Sequence, residues 1–188
     1  MDESATDPAV FLCETLTSAT VQVRVERAED APAVARVVEA AFGRPGPVQM
    51  VDAIRASTAY VPELAFVAED SDEVVGHVML SYVELAGSDR QLLELAPLAV
   101  VPERQREGIG SALTRAALSA ADERGEPLVL VLGHPGYYVR FGFRRSDEFG
   151  LEPPQPAWHA AFMAVPLAAY DASLRGRVVF PPSFAHAD

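Results

Sequence analysis

Apolar positions recur along the chain with two different periods, and these periods predict a mixed α/β protein. Apolar and polar residues alternate across residues 21–27, which predicts a half-buried strand. Apolar residues then recur at helical spacing across residues 34–41, before Gly43, which predicts a helix ending at that glycine. A turn and a second helix, "VQMVDAIRAS", are expected next.

The middle of the chain predicts a meander of strands. "LAFVAED" and "VVGHVMLSYVEL" flank a polar turn and predict a hairpin, and "QLLELAPLAVV" predicts a long apolar strand. A helix to about residue 123, a buried strand "PLVLVLG", a short helix and strand in "HPGYYVRFGF", and a last strand "AFMAVPLA" are expected to follow. This order predicts a mixed, mostly antiparallel sheet with flanking helices, and it does not suit a doubly wound parallel fold.

Length and composition favour one folded unit. With 188 residues, of which 49% are hydrophobic, the chain can bury one substantial core. Residues 1–19 lack periodicity and are expected to form a poorly ordered leader, so residues 20–188 are expected to form the domain. The one cysteine, Cys13, lies in this leader; an internal disulfide is excluded, and an incidental thiol is favoured over a nucleophile.

The charge excludes some partners. The formal net charge is −12, and the 15 basic residues are all arginine. An acidic chain repels nucleic acids and anionic membranes, and it favours a cationic substrate such as an amine only slightly, since the same charge serves solubility. The four histidines show no metal-ligand spacing, so no metal is expected. No apolar run reaches about 18 residues, and the acidic N-terminus lacks a secretory pattern, so a cytoplasmic protein is expected.

The segment "PERQREGIGSAL" carries the first chemical signal. A glycine-rich turn that opens a helix offers unpaired backbone N–H groups to an anion. A P-loop is excluded because it requires a lysine, which the chain lacks. A dinucleotide fingerprint is disfavoured because Leu113 occupies its third glycine position.

Two motifs resemble one known family. "QREGIG" resembles the pyrophosphate-binding motif [RQ]xxGx[GA] of the GNAT superfamily of acyl-CoA-dependent N-acetyltransferases. Tyr138 stands four residues before the Gly142-Phe143 pair, as a tyrosine does in that family. "LGHPGYYVRFGF", "GHVML" and "GRVVFPPSF" further resemble its YhbS-like branch of predicted acetyltransferases. The resemblance spans residues 21–184 and implies the GNAT fold, with about six to seven strands and a bulged, splayed central strand.

The resemblance also implies a binding site for the acetyl donor. Acetyl-CoA would be the co-substrate, and its pyrophosphate would meet the stretch formed by Gln105, Arg106, Glu107, Gly108, Ile109 and Gly110. Arg104 flanks this stretch and either reaches a phosphate or is a solvated charge. Pro97 interrupts a strand that is otherwise apolar enough to be central, which indicates a bulge or an edge. In the family this strand is bulged, so its backbone at Leu98, Ala99 and Val100 is expected to pair with the pantetheine arm.

Acetyl transfer to an amine needs a base for the amine and an acid for the departing thiolate. The resemblance assigns the acid to Tyr138, while the adjacent Tyr137 is expected to pack. Glu94 is the first candidate for the base, because a carboxylate in an apolar run is costly unless it is paired or faces a cleft; a solvent-facing position is the alternative. His77 and His134 have suitable chemistry, but a hydrogen-bonded core residue and a loop residue are the alternatives, and water is a further candidate.

The acceptor is expected to be a primary amine of a small molecule or a peptide. In the family it meets the first two helices, the hairpin and the C-terminal segment. Five residues either line its pocket or pack in the core: Phe42, Met50, Tyr60, Trp158 and Phe162. "GRVVFPPSF" either adds a strand across a homodimer interface or closes its own sheet. A non-catalytic CoA-binding sensor or interaction module with the same fold is the alternative function.

Overall fold

The computed structural model describes residues 21–185. The predicted leader and Cys13 lie outside the described residues. Three longer helices and one short helix are present: α1 (Ala31–Phe42), α2 (Gly46–Arg55), α3 (Ile109–Glu123) and α4 (Pro135–Tyr138). The strands are β1 (Gln22–Val25), β2 (Tyr60–Asp70), β3 (Glu73–Leu85), β4 (Gln91–Val100), β5 (Leu128–Leu132), β6 (Arg144–Arg145), β7 (Leu151–Glu152), β8 (Phe162–Pro166) and β9 (Gly176–Val179). None of the helices in this part of the chain is long and apolar enough to cross a membrane.

One mixed sheet organises these elements, as the sequence predicts. Seven strands follow the order β1-β2-β3-β4-β5-β8-β6, and β9 joins β3 and β7 beside this path. The neighbours on the path are antiparallel except for β4 and β5, which run parallel. The predicted hairpin of β2 and β3 is confirmed.

The sequence interpretation is wrong in several details. The sheet has nine strands in the described residues rather than about six to seven, because the short strands β7 and β9 add to it. The first strand begins and ends inside the predicted range, and β2 begins four residues earlier than expected, at Tyr60. The strand β8 is not the last, because Gly176–Val179 forms β9. Val178 and Val179 of β9 pair with the end of β3 in the same chain, so "GRVVFPPSF" closes its own sheet.

The bulge predicted at Pro97 is present in β4 and changes which way its side chains point. The register with β3 shifts between Leu95 and Leu98, so Ala96 and Pro97 are accommodated opposite one position of β3. Leu93 and Leu95 belong to the core under α3, and so do Leu98 and Val100 beyond the bulge. Because of the extra residue, the side chains of β4 that face α3 have odd numbers before the bulge and even numbers after it.

The strands β4 and β5 separate close to this bulge. They pair only at Leu93 with Val129 and at Glu94 with Leu130. One core lies between the sheet and the helices α1 and α2, and a second lies between the sheet and α3. The separation opens the middle of the sheet between these two cores, and two cavities, described below, are lined there by residues of β4.

Candidate active site

A cleft of about 490 Å³ lies where β4 ends and α3 begins. Its lining combines two apolar side chains of β4, the glycine-rich loop and residues of the segment after β5. The lining residues are Leu98, Val100, Arg104, Gln105, Arg106, Gly108, Gly110, Ser111, Tyr137 and Arg140.

The loop before α3 is built to leave backbone N–H groups available. Gly108 is the N-cap residue, with a φ of 89° in the left-handed region that glycine tolerates, and no side chain caps the helix. Arg106 also has a positive φ of 69°. The first N–H groups of a fifteen-residue helix thus face the cleft without an intrahelical acceptor, an arrangement that favours an anion.

Nine residues were predicted from the sequence to bind acetyl-CoA. The structure brings six of them to this cleft: Leu98, Val100, Gln105, Arg106, Gly108 and Gly110. The other three have their side chains elsewhere. Ala99 packs in the core under α1 and α2, and Ile109, the first residue of α3, is buried in the core between that helix and the sheet. Glu107 accepts a hydrogen bond from Arg104 Nε at 2.7 Å, so its carboxylate is bound to a neighbouring loop residue.

Arg104 and Gln105 are engaged in the loop itself. Arg104 forms ion pairs with Asp70 and with Glu107, which tie the loop to the end of β2. Gln105 Nε2 donates a hydrogen bond to the backbone oxygen of Val100 at 3.1 Å. Within residues 21–185 no ion pair involves Arg106, so its guanidinium is the less neutralised charge of this loop.

Sequence reasoning missed Tyr137 and Arg140 as residues of the cleft. A Cβ built on Gly110 would lie 2.9 Å from the Tyr137 hydroxyl oxygen, so this hydroxyl stands against the first turn of α3. It is buried and has no hydrogen-bond partner in the described chain. The Arg140 guanidinium lies over the Tyr137 ring, 4.9 Å from its centroid. An unpartnered buried donor, a cation and free helix N–H groups together fit a phosphate-bearing ligand.

Tyr138 is buried, 8% exposed, and it is not among the residues that line the cleft. Its ring meets Tyr137 edge-on at 4.9 Å between centroids and contacts Phe143 at 5.4 Å. A Cβ at Gly133 would overlap with the Tyr138 ring, so glycine is required where this tyrosine packs. Burial, with smaller contributions from Tyr137 and Glu94, raises the pKa of Tyr138 above its usual range, so the hydroxyl stays protonated.

Glu94 is not solvent-facing, so that alternative from the sequence is wrong: the residue is 1% exposed. Its Oε1 accepts a hydrogen bond from the backbone N–H of Leu132 at 2.9 Å, and its Oε2 has no partner in the described chain. Burial raises the pKa of Glu94 to about 8, and the Leu132 hydrogen bond opposes this shift only partly.

Glu94 lines a second, smaller cavity of about 140 Å³, which we call the inner cavity. Its other walls come from the first two helices, the bulge of β4, the end of β5 and the C-terminal segment. They are Phe42, Pro47, Met50, Ala96, Pro97, Leu132, Phe180 and Phe184. Of the five residues that the sequence offered for an acceptor pocket, Phe42 and Met50 lie here.

The other three lie elsewhere. Phe162 is fully buried in the core, and Tyr60 is partly buried against the same core. Trp158 lines a third cavity of about 330 Å³, which we call the outer groove, together with prolines and β9. Phe180 and Phe184 line both the inner cavity and the outer groove. The family resemblance led us to expect the C-terminal segment at the acceptor site, but sequence reasoning singled out neither phenylalanine. The pairing of β9 with β3 brings this segment towards Glu94.

The two histidines lie away from this arrangement. His77 is fully buried, and its Nε2 lies 2.9 Å from Glu26 Oε2, while Arg55 pairs with the same carboxylate. Burial lowers the pKa of His77, which favours its neutral form. His134 is exposed and stands at the start of α4. Across residues 21–185 no group of three or more histidine, cysteine, aspartate or glutamate side chains could hold a metal ion.

Known proteins resemble this chain in sequence and in structure. Residues 22–146 match the family described as acetyltransferase (GNAT) domain. The chain is 32% identical over 154 residues to the uncharacterized N-acetyltransferase YhbS of Escherichia coli (strain K12), an alignment that covers 82% of this chain and 90% of YhbS.

Two crystal structures resemble the fold closely. A structure of E. coli YhbS in complex with CoA superposes with a TM-score of 0.82 at 30% identity, covering 97% of this chain and 96% of that one. A GNAT family acetyltransferase from Brucella melitensis in complex with acetyl-CoA superposes with a TM-score of 0.74 at 32% identity, covering 88% of this chain and 99% of that one.

Proposed function

This chain belongs to the GNAT family of acetyltransferases, and we propose that it transfers the acetyl group of acetyl-CoA directly to a primary amine of a small molecule or a peptide. One observation carries the proposal: a phosphate-suited cleft and a cavity holding a buried carboxylate border the same bulged strand, β4. The crystal structures of YhbS with CoA and of the Brucella protein with acetyl-CoA support the choice of donor.

The cleft supplies each kind of contact that acetyl-CoA needs. The N–H groups at the start of α3 and the Tyr137 hydroxyl would bind the pyrophosphate, and Arg106 and Arg140 would offset its charge. Leu98 and Val100 present an apolar wall to the pantetheine arm. Their backbone lies beyond the last pairing of β4 with β5, where N–H groups can bond to that arm and to the thioester oxygen.

Acetyl-CoA supplies an acetyl group activated as a thioester. An ammonium acceptor must first lose a proton, and Glu94 would take it through the Oε2 atom that has no partner. The new bond forms between the amine nitrogen and the acetyl carbon, that nitrogen releases its second proton to solvent, and the bond from the acetyl carbon to sulfur breaks. The Tyr138 hydroxyl would give the departing sulfur a proton, and Glu94 and Tyr138 then return to their starting states through solvent.

The ionisation of the two groups suits these roles. A carboxyl with a pKa of about 8 is a stronger base than an exposed glutamate, although only part of it is ionised at neutral pH. Because the pKa of Tyr138 lies above its usual range, its hydroxyl keeps a proton to donate at every pH at which the protein would be assayed.

Turnover by the wild type separates an enzyme from a non-catalytic CoA-binding module, and replacing Tyr138 by phenylalanine tests whether this residue is the acid. Thiol release from acetyl-CoA in the presence of an amine panel is measured for wild type and Tyr138→Phe. We expect turnover by wild type, a loss of about 10- to 100-fold in kcat for the variant, and unchanged acetyl-CoA affinity. Binding without turnover by wild type would favour the module, and equal rates would remove Tyr138 as the acid.

A further inference from the structure

The inner cavity pairs one ionisable group with apolar walls. Glu94 is its only ionisable lining residue, and the other eight are aliphatic, aromatic, proline or methionine side chains. Phe42 is 40% exposed at the end of α1, so an apolar residue also borders the solvent side. A ligand in this cavity finds one place for a positive charge and no side chain to bind further polar groups.

We propose that the acceptor is a small monoamine whose nitrogen is attached to an aromatic or branched aliphatic body, with no carboxylate beside the nitrogen. The amine lies at Glu94 Oε2, and the body fills the inner cavity against Phe180. This inference rests on the proposed function and names the substrate class of the same site.

The volume of the inner cavity limits the size of the body. Apolar cavities of about 150 Å³ in proteins admit a benzene-sized molecule. The inner cavity measures about 140 Å³, so it accommodates one ring or a branched chain of similar bulk beside the carboxylate.

Phe180 is a wall that the inner cavity shares with the outer groove. It lines both the inner cavity and the outer groove, and its ring packs 5.9 Å from Trp158 and 4.9 Å from Phe184 between centroids. The one charged lining residue of the outer groove, Arg177, forms an ion pair with Glu152. The groove therefore extends the apolar contact beyond Phe180 without adding a second charge site.

The same walls disfavour other amines. A polyamine or an aminosugar would bury ammonium or hydroxyl groups against phenylalanine and methionine side chains with no partner, and a site penalises such unpaired groups strongly. An α-amino acid would place its carboxylate close to Glu94, where two negative charges repel each other.

A panel of five amines of defined chemistry tests the inference. The apolar monoamines are 2-phenylethylamine and isopentylamine. The polar set consists of ethanolamine, putrescine and the free amino acid phenylalanine. Each amine is titrated calorimetrically into the protein with and without CoA at pH 8.5, and acetyl transfer is followed by thiol release. We expect the two apolar monoamines to bind at least about tenfold more tightly than any of the polar set.

Variants tie the preference to the cavity. Phe180→Ala is expected to weaken 2-phenylethylamine binding about fivefold or more and to change ethanolamine binding much less. Tyr170→Leu is the control, because Tyr170 is an aromatic residue that packs on Phe149 outside both cavities; this variant is expected to keep the wild-type preference.

Two results would overturn the inference: tighter binding of putrescine, ethanolamine or phenylalanine, or no preference for the apolar monoamines in either titration. Failure of the proposed function would look different, since acetyl-CoA itself would not bind, or thiol release would be absent even with amines that bind. The amine titrations without CoA decide the inference in that event as well.

Discussion

Glu94 Oε1 in β4 accepts a hydrogen bond from the backbone N–H of Leu132 at the end of β5, with 2.9 Å between oxygen and nitrogen. The parallel pairing of the two strands stops at Glu94 and Leu130. The Glu94 side chain thus gives the Leu132 N–H a hydrogen-bond acceptor at the point where the backbone of β4 no longer pairs with β5. The same carboxylate leaves its second oxygen without a partner at the wall of the inner cavity. One residue therefore helps to end the pairing of the strands and offers a base where they part.

The pH dependence of turnover tests Glu94 as the base. Because the pKa of Glu94 is about 8, its ionised fraction rises as the pH passes through that value. The ratio of wild-type to Glu94→Gln kcat/KM is expected to rise with pH, to reach about 100 at pH 8.5, and then to level off. Steady-state thiol release between pH 6.5 and 9.5 gives kcat/KM of both proteins and therefore this ratio. Glu63→Gln, which changes an exposed carboxylate of β2, should follow wild type. A pH-independent ratio for Glu94→Gln would remove Glu94 as the base.

The stability of Glu94→Gln tests the cost of the buried carboxyl independently of activity. The unfolded chain ionises Glu94 near its ordinary pKa of 4.5, whereas the folded protein keeps it protonated to about pH 8. Wild-type stability is therefore lost between these two values, and the glutamine variant is spared that loss. The unfolding temperature of the variant is expected to rise relative to wild type from pH 5 to pH 8.5, by on the order of 10 °C. A difference that stays constant across this range would contradict the burial argument.

Tyr137→Phe separates a ligand-binding hydroxyl from a structural one. The buried Tyr137 hydroxyl has no partner within the described chain, so its removal should leave stability unchanged or raised. If it binds the donor, acetyl-CoA affinity should fall about threefold to tenfold, as calorimetry would measure. Tyr82→Phe is the matched control: its hydroxyl donates to Glu126 at 2.6 Å, so that variant should lose stability and keep its affinity. The reverse pattern would refute the role of Tyr137.

Gly76→Ala tests how α3 is seated on β3. A Cβ at Gly76 would lie 2.9 Å from Leu113 Cδ1 and 3.1 Å from Ile109 Cγ2. Both side chains belong to the first turns of α3, so the added methyl group should lower the free energy of unfolding by about 1–3 kcal/mol and weaken acetyl-CoA binding. Combining it with Leu113→Ala should cost less than the sum of the two single changes, because the clash is then relieved. Chemical denaturation measures the free energy of unfolding of the two single variants and the double variant. Strictly additive losses would argue against a contact between residue 76 and Leu113.

Local patterns in the sequence predicted most of the elements correctly. The periodicity of residues 34–41 predicted α1, and the apolar run interrupted by Pro97 predicted a bulge that the register of β4 confirms. These features depend on neighbouring residues, which is why one sequence suffices to predict them. For the last strand, β9, the sequence leaves an open alternative, a segment that either adds a strand across an interface or closes its own sheet, since four residues carry little periodicity.

The parts of the site that depend on long-range contacts could not be read from the sequence. Tyr137 was expected to pack, and only the approach of its hydroxyl to Gly110 reveals a place in the cleft. Phe180 lies 86 positions after Glu94, by subtraction of their numbers, and the two meet at the inner cavity because β9 returns to β3. A Glu94 side chain on an alternating strand could face either way, and the burial of the strand on both faces decides the question.

Calorimetric titration with acetyl-CoA, with NADH and ATP as controls, tests the central claim most directly. The geometry of the cleft predicts micromolar binding of acetyl-CoA and no comparable heat from the two controls, with weaker binding for Tyr137→Phe. The absence of acetyl-CoA binding would contradict both the enzyme and the CoA-binding module, and it would leave the cleft at α3 without its proposed ligand.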